Sequence, residues 1–77
     1  MPKHQDDFLH WFGIRVRSIR QSKHISQEEL AQLAGLDRTY MGGVERGERN
    51  IGLLNVKKLA DALEITVKDL FDDDLQL

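Results

Sequence analysis

Between Ser26 and Gly47 the chain reads SQEELAQLAGLDRTYMGGVERG, a stretch in which two short helices must start, stop and turn. Ser26, with Glu29 three residues later, forms a capping-box pattern in which each side chain satisfies a backbone N–H left unpaired by the helix start. The helix therefore begins at Gln27. Leu30, Leu33 and Ala34 recur at i, i+3 and i+4 and predict its apolar face, beside an Ala31 small enough to let another helix approach closely. Gly35 stops it, because glycine takes the left-handed cap conformation without a Cβ penalty. Leu36 is placed to bury itself in the angle between the helices, and Asp37 to cap a second helix from Arg38. With a link of about three residues, a crossing near 90 to 120° is the usual outcome.

Drawn at about 100° per residue, the second helix divides by residue type. Arg38, Gly42, Arg46, Thr39 and Gly43 occupy one side, spanning roughly 140°; Tyr40, Val44, Met41 and Glu45 occupy the other. One side is apolar enough to sit on a protein body. The opposite side offers arginine forks that match the O6 and N7 edge of guanine, and a threonine whose hydroxyl and methyl can meet thymine. This is the layout of a helix-turn-helix whose second helix enters a major groove. Consecutive glycines inside a helix cost up to about 1 kcal/mol each relative to alanine. Their position on the outer side predicts close approach of backbone to DNA, with tight helix packing as the competing reading.

At 77 residues the chain has room for one domain with one small core, a size at which help from a second subunit is expected. The absence of cysteine excludes a disulfide scaffold and a Cys-based zinc finger. No apolar run approaches the roughly 20 residues of a membrane span, and the start, MPKHQDDFLHWFG, lacks the order of a secretion signal, so a cytoplasmic protein is expected. His4, His10 and His24 have no ligand spacing, so neither a metal nor a cofactor is expected. Nor does any Cys nucleophile, Ser/His/Asp constellation or phosphate-cradling glycine loop suggest an enzyme.

Net charge is −2, which is awkward for a ligand of duplex DNA. Residues 1–50, however, carry eight Lys/Arg against seven Asp/Glu, and residues 51–77 three against six. The excess acid sits at the far end, consistent with modest, salt-sensitive DNA affinity. Charge alone would equally suit an ordinary solvated surface.

The remaining pattern is helical throughout. Asp6 or Asp7 can cap a first helix with Phe8, Leu9, Phe12, Val16 and Ile19 on one face, ending near Ser22 or Lys23. Gly47 terminates the third helix. A fourth should run from Leu53 or Leu54 to Leu63 with Val56, Leu59, Ala60 and Leu63 inward, and Thr66 with Asp69 caps a short fifth through about Phe71. Asp72, Asp73 and Asp74 oppose the helix dipole there, so fraying should begin. Trp11 and Ile14 lie off the main apolar arc, to be covered by Leu75 and Leu77 or by another protomer. The expected fold is all-α: five helices, with the helix-turn-helix at helices two and three.

Residues 12–71 resemble the Xre and Cro family of helix-turn-helix regulators, which includes the lambdoid phage repressors. FGIRVRSIRQSKHISQEELAQLAG is similar to the family's first two helices and LDRTYMGGVERGERN to its third helix and following loop. Within the family, LDRTY and ERGERN are particularly similar to the controller proteins of restriction-modification systems. Gly43 departs from many relatives, which carry a larger polar side chain there. The resemblance implies a lambda-repressor-like domain over residues 1–77, acting on double-stranded operator DNA. It implies a DNA backbone contact from Gln27, base and backbone reading by Arg38, Thr39 and Tyr40, a phosphate contact from Arg46, and strand or minor-groove contact from Arg49 and Asn50. Arg20 and Glu45 match a family pair joining helices one and three. The wheel supports that pair independently, since Glu45 lies at the margin of the buried side and needs a cation.

Dimerisation is expected through residues 53–77, with Ile65, Val67, Leu70 and Phe71 as apolar candidates, partly on the resemblance. A homodimer on an inverted repeat would place half-sites about one helical turn, near 34 to 36 Å, apart. Glu28 falls at an acidic position that some relatives use to touch RNA polymerase, although the helix dipole alone also accounts for it. The reading of a different class is a protein-interaction module, antitoxin-like or scaffold, that keeps the fold without binding DNA.

Overall fold

A computed structural model describes residues 5–72. Its five helices are α1 (Gln5–Ser22), α2 (Gln27–Ala34), α3 (Arg38–Glu45), α4 (Leu53–Ala62) and α5 (Val67–Leu70), and no strand occurs among the described residues. Within them no helix is long and apolar enough to cross a membrane.

The caps read from the sequence set the boundaries. Glu29 N donates to Ser26 Oγ at 3.0 Å and Ser26 N to Glu29 Oε1 at 3.1 Å, closing the capping box of α2. Asp37 accepts from Tyr40 N at 3.0 Å at the start of α3. Thr66 and Asp69 close a second box at α5. The far ends share one device: α1, α2, α3 and α4 are each followed by a residue in left-handed conformation, at His24, Gly35, Gly47 and Glu64. After each, the next N–H bonds back to the last turn, as in Leu36 N to Ala31 O (2.9 Å) and Glu48 N to Gly43 O (2.8 Å). α1 begins before the expected cap, so Asp6 and Asp7 lie within its first turn, where their charge suits the dipole.

One core holds the helices together. Phe12, Val16 and Ile19 meet Leu30, Ala31 and Ala34, Met41 and Val44, Val56, Leu59, Ala60, Leu63 and Leu70. The inward face foreseen for α4 is present, whereas the one drawn for α2 needs correction: Leu33 is 63% exposed. On the helical wheel Leu30, Ala34 and Ala31 span an arc of about 100° with Leu33 outside it. The helix turns its small side inward, so that the close approach granted by Ala31 decides its rotation. Phe8 and Leu9 are half-buried at the rim.

Backbone contact fixes α3 on α1. A Cβ at Gly13 would stand 2.6 Å from the carbonyl oxygen of Val44 and closer still to that of Glu45, and one at Gly47 would stand 2.7 Å from His10 Cα. Side chains are therefore excluded where the two helices cross. Arg15 binds α1 to α5, donating from Nη2 to Asp69 O (3.0 Å) and from Nε to Leu70 O (3.3 Å), carbonyls at the end of a helix.

One member of the dimer assignment changes. Leu70 is fully buried within its own protomer, because α5 folds that residue into the core, and it has no surface to offer a partner. Ile65, Val67 and Phe71 are half-buried. Phe71 stacks on Phe12 at 5.2 Å between ring centroids and on Phe8 and Trp11 at 6.3 Å, so Trp11 is covered by aromatic neighbours. Ile14 is 52% exposed. Asp73, Asp74, Leu75 and Leu77 lie outside the described residues, as does His4.

Candidate nucleic-acid interface

α3 leaves its Asp37 cap with Arg38 and Thr39 exposed in its first turn, while Met41 and Val44 are buried against the body. Arg46 follows at the helix end, also exposed. Gln27, Arg38, Thr39, Gly42 and Arg46 line a single shallow polar depression at the α2–α3 junction. Five nominated residues thus come together on one side. Arg49 and Asn50 are exposed in the loop that follows, and the Arg49 guanidinium lies 5.9 Å from the centre of the Tyr40 ring. Tyr40 itself is half-buried against the core, and its hydroxyl accepts from Asn55 Nδ2 at 3.4 Å.

Gly42 and Gly43 lie on the outer side of α3 and are buried. A Cβ at Gly42 would come 3.1 Å from Arg46 Nη1 and 3.3 Å from Gln27 Oε1; one at Gly43 would come 2.9 Å from Arg49 Cγ. The missing side chains make room for arginines to lie across the helix. Their absence brings cations close to the α3 backbone.

Beneath this surface, Arg20 and Glu45 form a two-pronged pair, Nε to Oε2 at 2.8 Å and Nη2 to Oε1 at 3.1 Å, with side chains only 11% and 4% exposed. Arg20 Nη1 also donates to Ile25 O at 3.0 Å. Gln27 completes the network, donating from Nε2 to Glu45 Oε1 at 3.1 Å. Its amide orientation at the surface is therefore tied to the ion pair below, a connection that spacing alone did not predict.

Two surface ion pairs were not foreseen from the sequence, one of them made by Glu28. Arg38 Nη1 lies 3.4 Å from Glu28 Oε2, and Arg46 Nε donates to Glu48 Oε2 at 3.1 Å. The hydrogen bond from Arg46, helped by the charges of Arg46 and Arg49, holds the Glu48 carboxyl below its usual range. The same bond, with the charge of Glu48, raises the Arg46 guanidinium.

The helix-turn-helix family model matches residues 16–70. The chain belongs to the helix-turn-helix family. It is 50% identical over 62 residues to control protein C.BamHI of Bacillus amyloliquefaciens, covering 79% of this chain and 76% of that protein. Its structure is similar to that of the restriction-modification controller protein C.AhdI from Aeromonas hydrophila, with a TM-score of 0.83 and 55% identity, covering 84% of this chain and 98% of the other. It also resembles the controller protein C.Esp1396I, solved as a tetramer in complex with its natural 35 base-pair operator (TM-score 0.77, 33% identity, covering 82% and 83% of the two chains). The likeness to controller proteins noted on LDRTY and ERGERN is thus met by the relatives themselves.

Proposed function

We propose that this protein is a sequence-specific, double-stranded DNA-binding transcription regulator of a restriction-modification operon, acting in the cytoplasm as a homodimer on an inverted-repeat operator with α3 in the major groove. The observation that carries this reading is the gathering of Gln27, Arg38, Thr39 and Arg46 around one depression, on the side of α3 turned away from the core. The controller relatives, one of them bound to its operator, support it. Arg38 and Thr39 are assigned to base edges, Arg46 with Gln27 to the phosphate backbone, and Arg49 with Asn50 to the adjacent strand. Tyr40, held by the core, presents only its hydroxyl to a phosphate.

For the contact between protomers we assign Leu53 and Leu54, 81% and 79% exposed, within the region already expected to dimerise. They follow the loop of Arg49 and Asn50 at the start of α4. Glu28 serves Arg38 first; a contact with RNA polymerase from the same exposed carboxylate belongs to this proposal too.

Selection of bound sequences from random duplex DNA, followed by titration of the selected site, tests the reading. It is expected to enrich an inverted repeat. Arg38→Ala is expected to lose about 1 to 3 kcal/mol and relax preference at one base pair, while Arg46→Ala weakens all sequences alike and flattens the salt dependence. Failure to enrich any repeat, or binding without ionic dependence, would overturn the proposal.

A further inference from the structure

Each of the two cations at the ends of the proposed reading helix is already engaged by a neighbouring carboxylate: Arg38 by Glu28 and Arg46 by Glu48. Both pairs are solvent-exposed, with side chains 58 to 70% accessible, so they contribute little to the fold. Neither carboxylate is used elsewhere in the core or the caps. Their location beside the depression bounded by Gln27, Arg38, Thr39, Gly42 and Arg46 gives them a different consequence.

We propose that Glu28 and Glu48 are specificity-determining residues, standing in for phosphate in the free protein and penalising attachment to any duplex that does not reward α3 with base contacts. This inference rests on the DNA-binding reading above. The physical ground is counterion exchange. A lone arginine meeting phosphate displaces a condensed cation from DNA, and that release drives binding of every sequence alike. An arginine that must first leave a carboxylate frees the same cation but exposes an anion beside the DNA, which takes a cation up again. Non-specific attraction is cancelled in part, whereas hydrogen bonds from Arg38 to guanine are made only on the right sequence and remain. Arg38, Arg46 and Arg49 against Glu28 and Glu48 leave this face only one positive charge in excess, in keeping with a chain whose net charge is −2.

The test compares wild type with Glu28→Gln, Glu48→Gln and the double variant, titrating the selected operator and an unrelated duplex of equal length from 50 to 200 mM salt. Glu64→Gln, remote from the depression, is the control. Each carboxylate removed is expected to steepen the log–log salt slope by about 0.9, so a variant loses about 3.5-fold more affinity than wild type across that fourfold range. Affinity for the unrelated duplex should rise more than affinity for the operator, lowering the ratio between them, while Glu64→Gln leaves slope and ratio unchanged. If wild type binds its operator and the three variants keep the wild-type slope and ratio, this inference alone falls. If wild type binds no duplex, the proposed function falls and takes this inference with it.

Discussion

Removal of Arg20 isolates the most deeply placed charge among the described residues. Glu45, its side chain 4% exposed, accepts two hydrogen bonds from the Arg20 guanidinium and one from Gln27. Arg20→Ala leaves only the neutral amide, and a buried carboxylate stripped of its cation costs about 3 to 5 kcal/mol. A chain of this length has about 4 to 12 kcal/mol in all, so the variant is expected to sit near the edge of unfolding at 25 °C. Urea denaturation followed by far-ultraviolet circular dichroism measures the loss. Because the penalty comes from an orphaned charge and not from a missing attraction, Arg20→Met combined with Glu45→Leu is expected to recover stability to within about 1 kcal/mol of wild type. Operator affinity should stay low in that double variant, since Gln27 has lost the acceptor that orients it. Additive losses in the two single variants and their combination, with a coupling below about 0.5 kcal/mol, would refute the reasoning.

Three further outcomes are expected. Gly13→Ala, whose Cβ would meet the Val44 and Glu45 carbonyls, should cost about 1 to 3 kcal/mol by overpacking, lowering the thermal midpoint and weakening operator binding by displacing α3. Glu64→Gly, at φ 59°, should stabilise by about 0.5 to 1 kcal/mol, the left-handed penalty removed exceeding the added freedom of the unfolded chain; calorimetry should show a rise of about 2 to 8 °C. Leu53→Lys with Leu54→Lys should yield folded monomers by sedimentation and lose operator binding, whereas retention of the dimer would remove those leucines from the interface.

Local rules made most of this architecture legible. Ser26 with Glu29, Asp37, and Thr66 with Asp69 mark helix starts because a cap is satisfied within four residues, and Gly35 and Gly47 mark ends for the same reason. The endings at His24 and Glu64 were recognisable only from fading periodicity, since neither residue is the glycine that marks a left-handed cap. Leu33 was misplaced because hydrophobicity ranks it above Ala31, while packing selected the smaller side. The outer cluster on α3 followed from rotation alone. What rotation could not supply were contacts set by the three-dimensional arrangement of several elements: Glu28 reaching Arg38, Arg15 reaching the carbonyls of α5, and arginines lying over Gly42 and Gly43. Gly13 did carry a signal, a lone glycine inside a helical pattern, which often marks a close approach.

The two kinds of glycine on this molecule divide stability from recognition. Gly13 and Gly47 bring backbone against backbone where α1 meets the end of α3, so the orientation of α3 depends on contacts that no longer side chain can tolerate. Gly42 and Gly43 instead lower the outer wall of α3, letting Arg46 and Arg49 fold across it. A long arginine side chain held close to the helix loses less conformational freedom when it meets a ligand than one swinging in solvent. The α3 helix therefore contributes less bulk than a typical recognition helix and more pre-arranged charge. An Ala at Gly43 would push Arg49 outward at Cγ, near its stem, whereas an Ala at Gly42 meets side-chain ends, the guanidinium of Arg46 and the amide oxygen of Gln27. Position 43 is on that account the less replaceable of the two, even though it bears no functional group.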